Sequence, residues 1–392
     1  MKPQSVFFSI PTLRRAVAAL CLVAALASTA LAQNAPVVPR ATGLRPPTTK
    51  ELEWMEQNLV KVGSVQLNQL GVDRVNSERG KRGQVPLALN AVPHGAEVRP
   101  WSRLQAQAVG DGGPLPAAVD NSLLPSFPPV RSQGSIGSCA SFSTTYYVGT
   151  HMLGLARGWN SKNEDNATKL SPKWTYAMVN GGQDQGSWFT ETIEVLRKHG
   201  GATWADWPYS GVNTPSSYRE WARSAAVWRN AVNSRMGGDA GTVENIHTPA
   251  GLQNLKRLLA NGYALLYATD IYGWQYVNVG NDPSTTADDA FVGQRAVSFI
   301  KGESSGHAMT VVGYNDDLWI DINKNGVVDP GEKGAVKICN SWGSDWENDG
   351  FMWLAYDALR ATSAVAGAAA GQANRAPGSL GSSRTPWWYN SA

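Results

Sequence analysis

Cys139 stands where a thiol can be turned into a nucleophile. The stretch Val130 to Phe142 runs from a Pro-Pro pair through a glycine-punctuated loop into an expected helix, with the cysteine at the junction. A thiol at a helix start faces unpaired backbone N–H groups and the positive end of the helix dipole, and both favour thiolate. Gln133, six residues earlier, carries an amide N–H able to point at whatever the sulfur attacks. With the N–H of Cys139 it would make an oxyanion hole. Alone, the stretch is equally a buried small hydrophobe, so its partners decide.

A thiolate nucleophile needs a base that titrates near neutrality, and the chain has five histidines. His94 lies in an irregular N-terminal region. His151 is more than three turns along the cysteine's own helix. His199 closes a helix, and His247 sits in a polar loop. His307 differs: it begins the run Ala308 to Val312, so it would stand at a strand mouth with a rigid strand behind it. Asn340 ends the run Val336 to Cys339 and would accept the second ring N–H, orienting the imidazole. Trp342 would shield that hydrogen bond from water.

The elements that must position these residues come in two kinds. Phe142, Tyr146, Gly149 and Leu153 are spaced for one helix face, and further helices are expected near 188–198 and 249–260. From Tyr263 onwards short apolar runs with β-branched and aromatic residues follow: 264–268, 308–312, 335–338 and 351–354. They read as antiparallel strands. Helices first and strands afterwards give an α+β class with segregated halves.

Around this body, from 114 to 363, the ends read differently. Lys2, Arg14 and Arg15, the apolar run Ala16–Ala27 and Ala30-Leu31-Ala32 make a secretory signal over 1–32. The mature protein is therefore expected to be exported, periplasmic or extracellular, with no membrane span after cleavage. Residues 33–113 are an N-terminal extension or pro-segment. Within it Thr48 to Glu51 opens a helix on which Leu52, Met55, Leu59 and Val62 recur, and 76–83 is polar and glycine-broken. Residues 364–392 are expected to be a flexible tail. A net charge of +3 without a basic run gives no argument for nucleic acid.

Taken in order, Gln133 to Cys139, Gly306-His307-Ala308 leading to Tyr314-Asn315, and Asn340-Ser341-Trp342-Gly343 with Trp346 and Gly350 resemble the papain family of cysteine peptidases. Asn180-Gly181-Gly182 and Trp207-Pro208-Tyr209 are similar to two further family motifs. The resemblance, to a secreted member of bacterial type, spans about 115 to 356. It implies a two-lobed fold, with a helical left lobe, an antiparallel β right lobe and the site in the cleft between. It also implies hydrolysis of peptide bonds in peptide or protein substrates by Gln133, Cys139, His307 and Asn340, with Gly181, Gly182 and Trp342 on the substrate side. Ala140 and Ile136 depart from the family's local signature, and the usual disulfides are absent. The alternative is a weak or inactive relative that binds peptide or glycan in the cleft.

One insertion has its own chemistry. Residues 321–332 fit the twelve-residue calcium loop: Asp321, Asn323, Asn325, Val327 through its carbonyl, Asp329 and Glu332 as ligands, with Gly326 at the turn. A structural Ca2+ is expected there; the chemistry itself needs no cofactor. The competing reading is an Asn/Asp/Gly hairpin turn.

Overall fold

The computed structural model describes residues 41–62, 65–87, 115–209, 218–237, 240–300, 306–360 and 362–368, and the backbone of 387–389. The signal segment, His94 and most of the tail lie outside the described residues. Residues Ala41–Ala392 cluster as one unit.

The spine of the sheet is β7 (Gly306–Trp319), fourteen residues long and almost wholly buried. On one side it pairs antiparallel with β4 (Leu265–Asp270), and there His307 lies opposite Thr269. On the other side it pairs antiparallel with β8 (Lys333–Cys339), which pairs with β9 (Phe351–Ala355). Beyond β9 come β6 (Arg295–Ile300) and β5 (Trp274–Asn278). Beyond β4 come Trp387–Tyr389, then β3 (Ala240–Val243) and β1 (Val60–Val62). A short strand, β2 (Ala118–Asp120), also joins β7. Two pairings, β1 with β3 and β6 with β9, are parallel, so the sheet is mixed but mostly antiparallel.

The helical lobe is led by one continuous helix over 139–157: α-helical at Cys139–Ser141, π-wound at Phe142–Gly149 and α-helical again at Thr150–Arg157. It packs on β7 and β4. Helices Pro172–Val179 and Phe189–His199 cover it, and Pro249–Ala260 backs the sheet. Local chemistry explains their limits. Pro opens the first and third, Gly200 follows the second, and the last turn of that helix carries Arg197, Lys198 and His199. This is the α+β, two-lobed arrangement expected of the sequence.

Three expectations need correction. The helix capped by Thr48 ends at Asn58, and Val60–Val62, which continued its spacing, pairs as a parallel strand with β3. Long-range pairing overrides a local period that exposed residues such as Leu52 never cashed in burial. The polar stretch 76–83 is not irregular up to Lys81, because Gln69–Lys81 is a helix capped by Asn68. Its Gly71, Val72 and Val75 are buried, and Arg74 holds the carbonyls of Leu259 and Ala260 at 2.9 Å. Finally, Trp387–Tyr389 of the presumed flexible tail is a strand between β3 and β4.

Candidate active site

The sheet brings His307 and Asn340 to one mouth. His307 is the second residue of β7, and Asn340 directly follows β8, with its N–H on the carbonyl of Gly350 at 2.9 Å. His307 Nε2 lies 2.7 Å from Asn340 Oδ1. The same Oδ1 accepts the N–H of Ser341 at 2.7 Å, so it is the amide oxygen and the ring nitrogen facing it carries the hydrogen. That leaves Nδ1 as the basic nitrogen, and Nδ1 is buried with no hydrogen-bond partner among the described residues. The Trp342 ring lies 4.7 Å from the imidazole, and Trp346 meets Trp342 edge-on. Together they keep water from the His–Asn bond.

The nucleophile reaches this mouth from the other lobe. Cys139 opens its helix, and its Sγ accepts the N–H of Ala308, the residue after His307, at 3.4 Å. The loop before it is fastened atom by atom. Gln133 N–H meets Ser341 O at 2.8 Å, and Gln133 Oε1 accepts the Ser341 hydroxyl at 2.6 Å. Tyr209 donates to Gln133 O at 2.9 Å and bonds the Ser138 hydroxyl at 2.6 Å. Gln133 Nε2 donates to Ile136 O at 2.8 Å within the loop and to Thr42 O at 3.1 Å outside it. Ala140, which replaces a bulky aromatic of the local signature, is fully buried at the helix start.

That contact with Thr42 belongs to a strap no sequence signal announced. Residues 41–44 cross the cleft: Ala41 O accepts from Trp342 Nε1 at 2.8 Å, Thr42 O from Gln133, and Gly43 O from Ser187 N at 2.9 Å. Leu44 donates to Gly306 O at 3.3 Å and is itself buried. Gly43, at φ +131°, passes so close that an added Cβ would fall 2.1 Å from Gly137 O, and one on Gly186 would fall 2.0 Å from Gly43 O. Arg45 then pins the strap, reaching Glu51 at 2.7 Å and Glu191 at 2.8 Å.

Under the strap Cys139, His307 and Gln133 have no exposed surface. Burial pushes the Cys139 thiol up to about 12, against the pull of backbone N–H groups. Burial likewise lowers the His307 imidazole to about 4, against the Asn340 bond that raises it. In this closed arrangement both groups are neutral at ordinary pH.

Of the remaining predicted residues, Gly181 and Gly182 lie on the exposed turn after helix Pro172–Val179, at φ +64° and +70°. Gly182 N–H bonds Asn180 Oδ1 at 2.6 Å. Residues 321–332 form the β7–β8 connection, outside this cleft cluster. There Asp321 accepts the N–H groups of Asn325 and Gly326 at 3.1 and 3.0 Å, and the Asn323 and Asn325 amides both donate to Asp329 Oδ2 at 2.7 Å. The Val327 side chain is exposed. Glu332 is buried and takes Ile322 N, Asn323 N, Asp329 N and the Trp319 indole. Among the described residues no three His, Cys, Asp or Glu side chains are grouped to hold a metal.

Comparison with known proteins adds an independent line. The family model described as papain family cysteine protease matches residues 115–369. Among curated proteins, digestive cysteine proteinase 3 of Homarus americanus is 24% identical over 295 residues, covering 74% of this chain and 73% of that protein. Cathepsin K of Gallus gallus is 26% identical over 245 residues, covering 61% and 59%. Among solved structures, xylellain, a cysteine protease from Xylella fastidiosa, aligns with a TM-score of 0.47 at 16% identity, over 91% of this chain and 100% of that one. Digestive procathepsin L 3 of Tenebrio molitor larval midgut aligns with a TM-score of 0.44 at 17% identity, over 82% and 88%.

Proposed function

The chain belongs to the papain family of cysteine proteases and is a cysteine-type peptidase acting on peptide or protein substrates; from that premise we propose how its own residues carry the reaction and in what state the chain is made. His307 Nδ1 takes the Cys139 proton, and the thiolate attacks the scissile carbonyl. The resulting oxyanion is held by the Cys139 backbone N–H and the Gln133 side-chain Nε2–H that now holds Thr42 O. The imidazolium, oriented by Asn340, protonates the leaving amine, and water then hydrolyses the thioester by the same route in reverse. The observation that carries this reading is the His307–Asn340 bond, with Nδ1 lacking a partner among the described residues and the Cys139 sulfur held by the N–H of the next residue, Ala308.

The form described is latent on this reading, since Thr42 O takes the donor a substrate oxygen needs. Residues 33–113 then act as a pro-segment. The protein is exported after loss of 1–32 and works without membrane or nucleic acid. A structural calcium ion in the 321–332 loop completes the proposal. Binding there would require Asn323 and Asn325 to turn their amide oxygens inward from their present bonds.

The test is direct. The full chain, carrying a specific-protease sequence in place of Pro46-Pro47 and cut after folding, should hydrolyse peptides and take up a thiol-directed epoxide at Cys139. Cys139→Ala should do neither. Hydrolysis surviving in Cys139→Ala would sink the assignment, and a cut wild-type protein that binds peptide but never labels would favour the non-catalytic alternative.

A further inference from the structure

The loop that presents the oxyanion donors has one anchor that the reaction scheme does not use. Gly137, two residues before the nucleophile, donates its N–H to Asp184 Oδ1 at 2.9 Å. The Tyr176 hydroxyl donates to the same oxygen. Tyr176 is buried on helix Pro172–Val179, and Asp184 lies on the turn that follows it, three and two residues beyond Gly181 and Gly182. The fit leaves no slack. A Cβ on Gly137 would meet Tyr176 Oη at 3.3 Å and Asp184 Oδ1 at 3.4 Å. Asp184 itself sits at φ +54°, a left-handed conformation that costs an L residue energy and persists where surrounding bonds enforce it.

The other fastenings of the loop come from elsewhere. Tyr209 and Ser341 hold its Gln133 and Ser138 ends. Ser138 N–H turns back to Ile136 O at 2.9 Å, so the Gly137 peptide sets the direction in which the chain enters Cys139. Two loops therefore meet at one carboxylate oxygen. One aims the Cys139 N–H, and the other carries the glycine pair along which a peptide would lie.

We propose that Asp184, buttressed by Tyr176, is a positioning residue: it fixes the Gly137 peptide so that the Cys139 N–H points at the developing oxyanion, and it ties that aim to the substrate-side turn at Gly181–Gly182. This rests on Cys139 being the nucleophile. No departure in charge is needed for the role, because the carboxylate acts as an acceptor of two hydrogen bonds. An amide oxygen in its place serves the same geometry, whereas a methyl group does not. The cost of losing such aim is large for its size, since misplacement by about an ångström lowers rates by about a hundredfold.

The experiment uses the full chain cut after folding at the 46–47 position, with active sites titrated so that rates are per labelled thiol. Asp184→Ala is expected to lower kcat per site about 10- to 100-fold and to raise KM. Asp184→Asn should restore kcat to within about threefold, and Tyr176→Phe should fall between the two. A merely structural role would lower thermal stability and the titratable fraction while leaving kcat and KM per site unchanged, and that result overturns the proposal. So does Asp184→Asn as damaging as Asp184→Ala. Amide exchange over 134–138 gives a second reading that does not need turnover: it should quicken in Asp184→Ala. Unchanged exchange there refutes the tie even if the chain hydrolyses nothing, whereas absent wild-type hydrolysis with quickened exchange refutes the peptidase assignment and keeps the tie.

Discussion

The two walls of the cleft are held in place by different means. His307 and Asn340 hang from a ladder in which β4, β7, β8 and β9 exchange main-chain hydrogen bonds residue by residue. The opposite wall, 133–138, shares one main-chain bond with the strand wall, Gln133 N–H to Ser341 O, and is otherwise held by the side chains of Ser341, Tyr209 and Asp184 and by its own Gln133. A ladder spreads its support over many peptide groups, so few side chains are critical beyond those that do chemistry. A loop held mainly by side chains is sensitive at each of them. The base is thus placed by the fold, and the oxyanion donors by particular residues.

The strap exploits that second wall, and breaking it should give the largest effect. Gly43→Ala puts a methyl group into Gly137 O, so residues 41–44 cannot seat. The uncut full chain should then gain at least about a hundredfold in peptide hydrolysis, measured against uncut wild type. Acid should loosen the same strap in the wild type. Burial holds the covered His307 imidazole down to about 4, so a form in which opening relieves that burial binds more protons as pH falls from the ordinary imidazole range towards about 4. Each unit of pH in that window favours opening by up to about tenfold. Glu51, held below the usual carboxylate range by its bonds with Arg45 and Thr48 despite burial, pushes the same way as it protonates. Stopped-time epoxide labelling of the uncut chain against pH reads this, and labelling that rises only towards alkaline pH would contradict it.

On the ladder wall, one substitution at the chemistry should cost far more than one beside it. Asn340→Ala removes the acceptor that fixes the His307 tautomer, and kcat should fall about a hundredfold or more with the fold intact. Ile338→Val, two residues back on β8 and fully buried, should cost about 0.5–1.5 kcal/mol of stability and leave kcat nearly unchanged. Kinetics and thermal melts on the two variants check the contrast. Equal loss of kcat in both would mean that the ladder is less forgiving than its bonding pattern suggests.

The same division explains what could be read from the chain. Cys139, His307 and Asn340 were legible because each lies at the boundary of a strand or helix whose local pattern marks it, and their order carries a family resemblance. The strap and Asp184 were not. Thr42 meets Gln133 across 91 residues, Ala41 meets Trp342 across 301, and Gly137 meets Asp184 across 47. No local period encodes such pairs. Val60–Val62 shows the reverse error, a helical spacing that non-local pairing overrode. Gln69–Lys81 was obscured by polar residues and Gly80, since its support comes from Arg74 and Asn68 reaching 259–261.

The smallest expected effect lies at the far end of the ladder, in the 321–332 connection. Glu332 already closes the β7–β8 hairpin through the Trp319 indole at 2.9 Å, and Ile320 N–H meets Glu332 O at 3.1 Å. A cation there adds to a turn that holds without it, and His307 sits at the opposite end of β7. Calcium should therefore raise the melting temperature by a few degrees, about what 1 kcal/mol gives a domain of this size, and leave kcat unaltered. Chelation should remove the gain, and Asp321→Ala should make the protein indifferent to both treatments. If chelation instead lowered kcat, the ladder would be transmitting a change from the loop to His307, and the rigidity ascribed to that wall would fail. If calcium changed nothing, Asp321 and its neighbours would be a hairpin turn closed by their own hydrogen bonds.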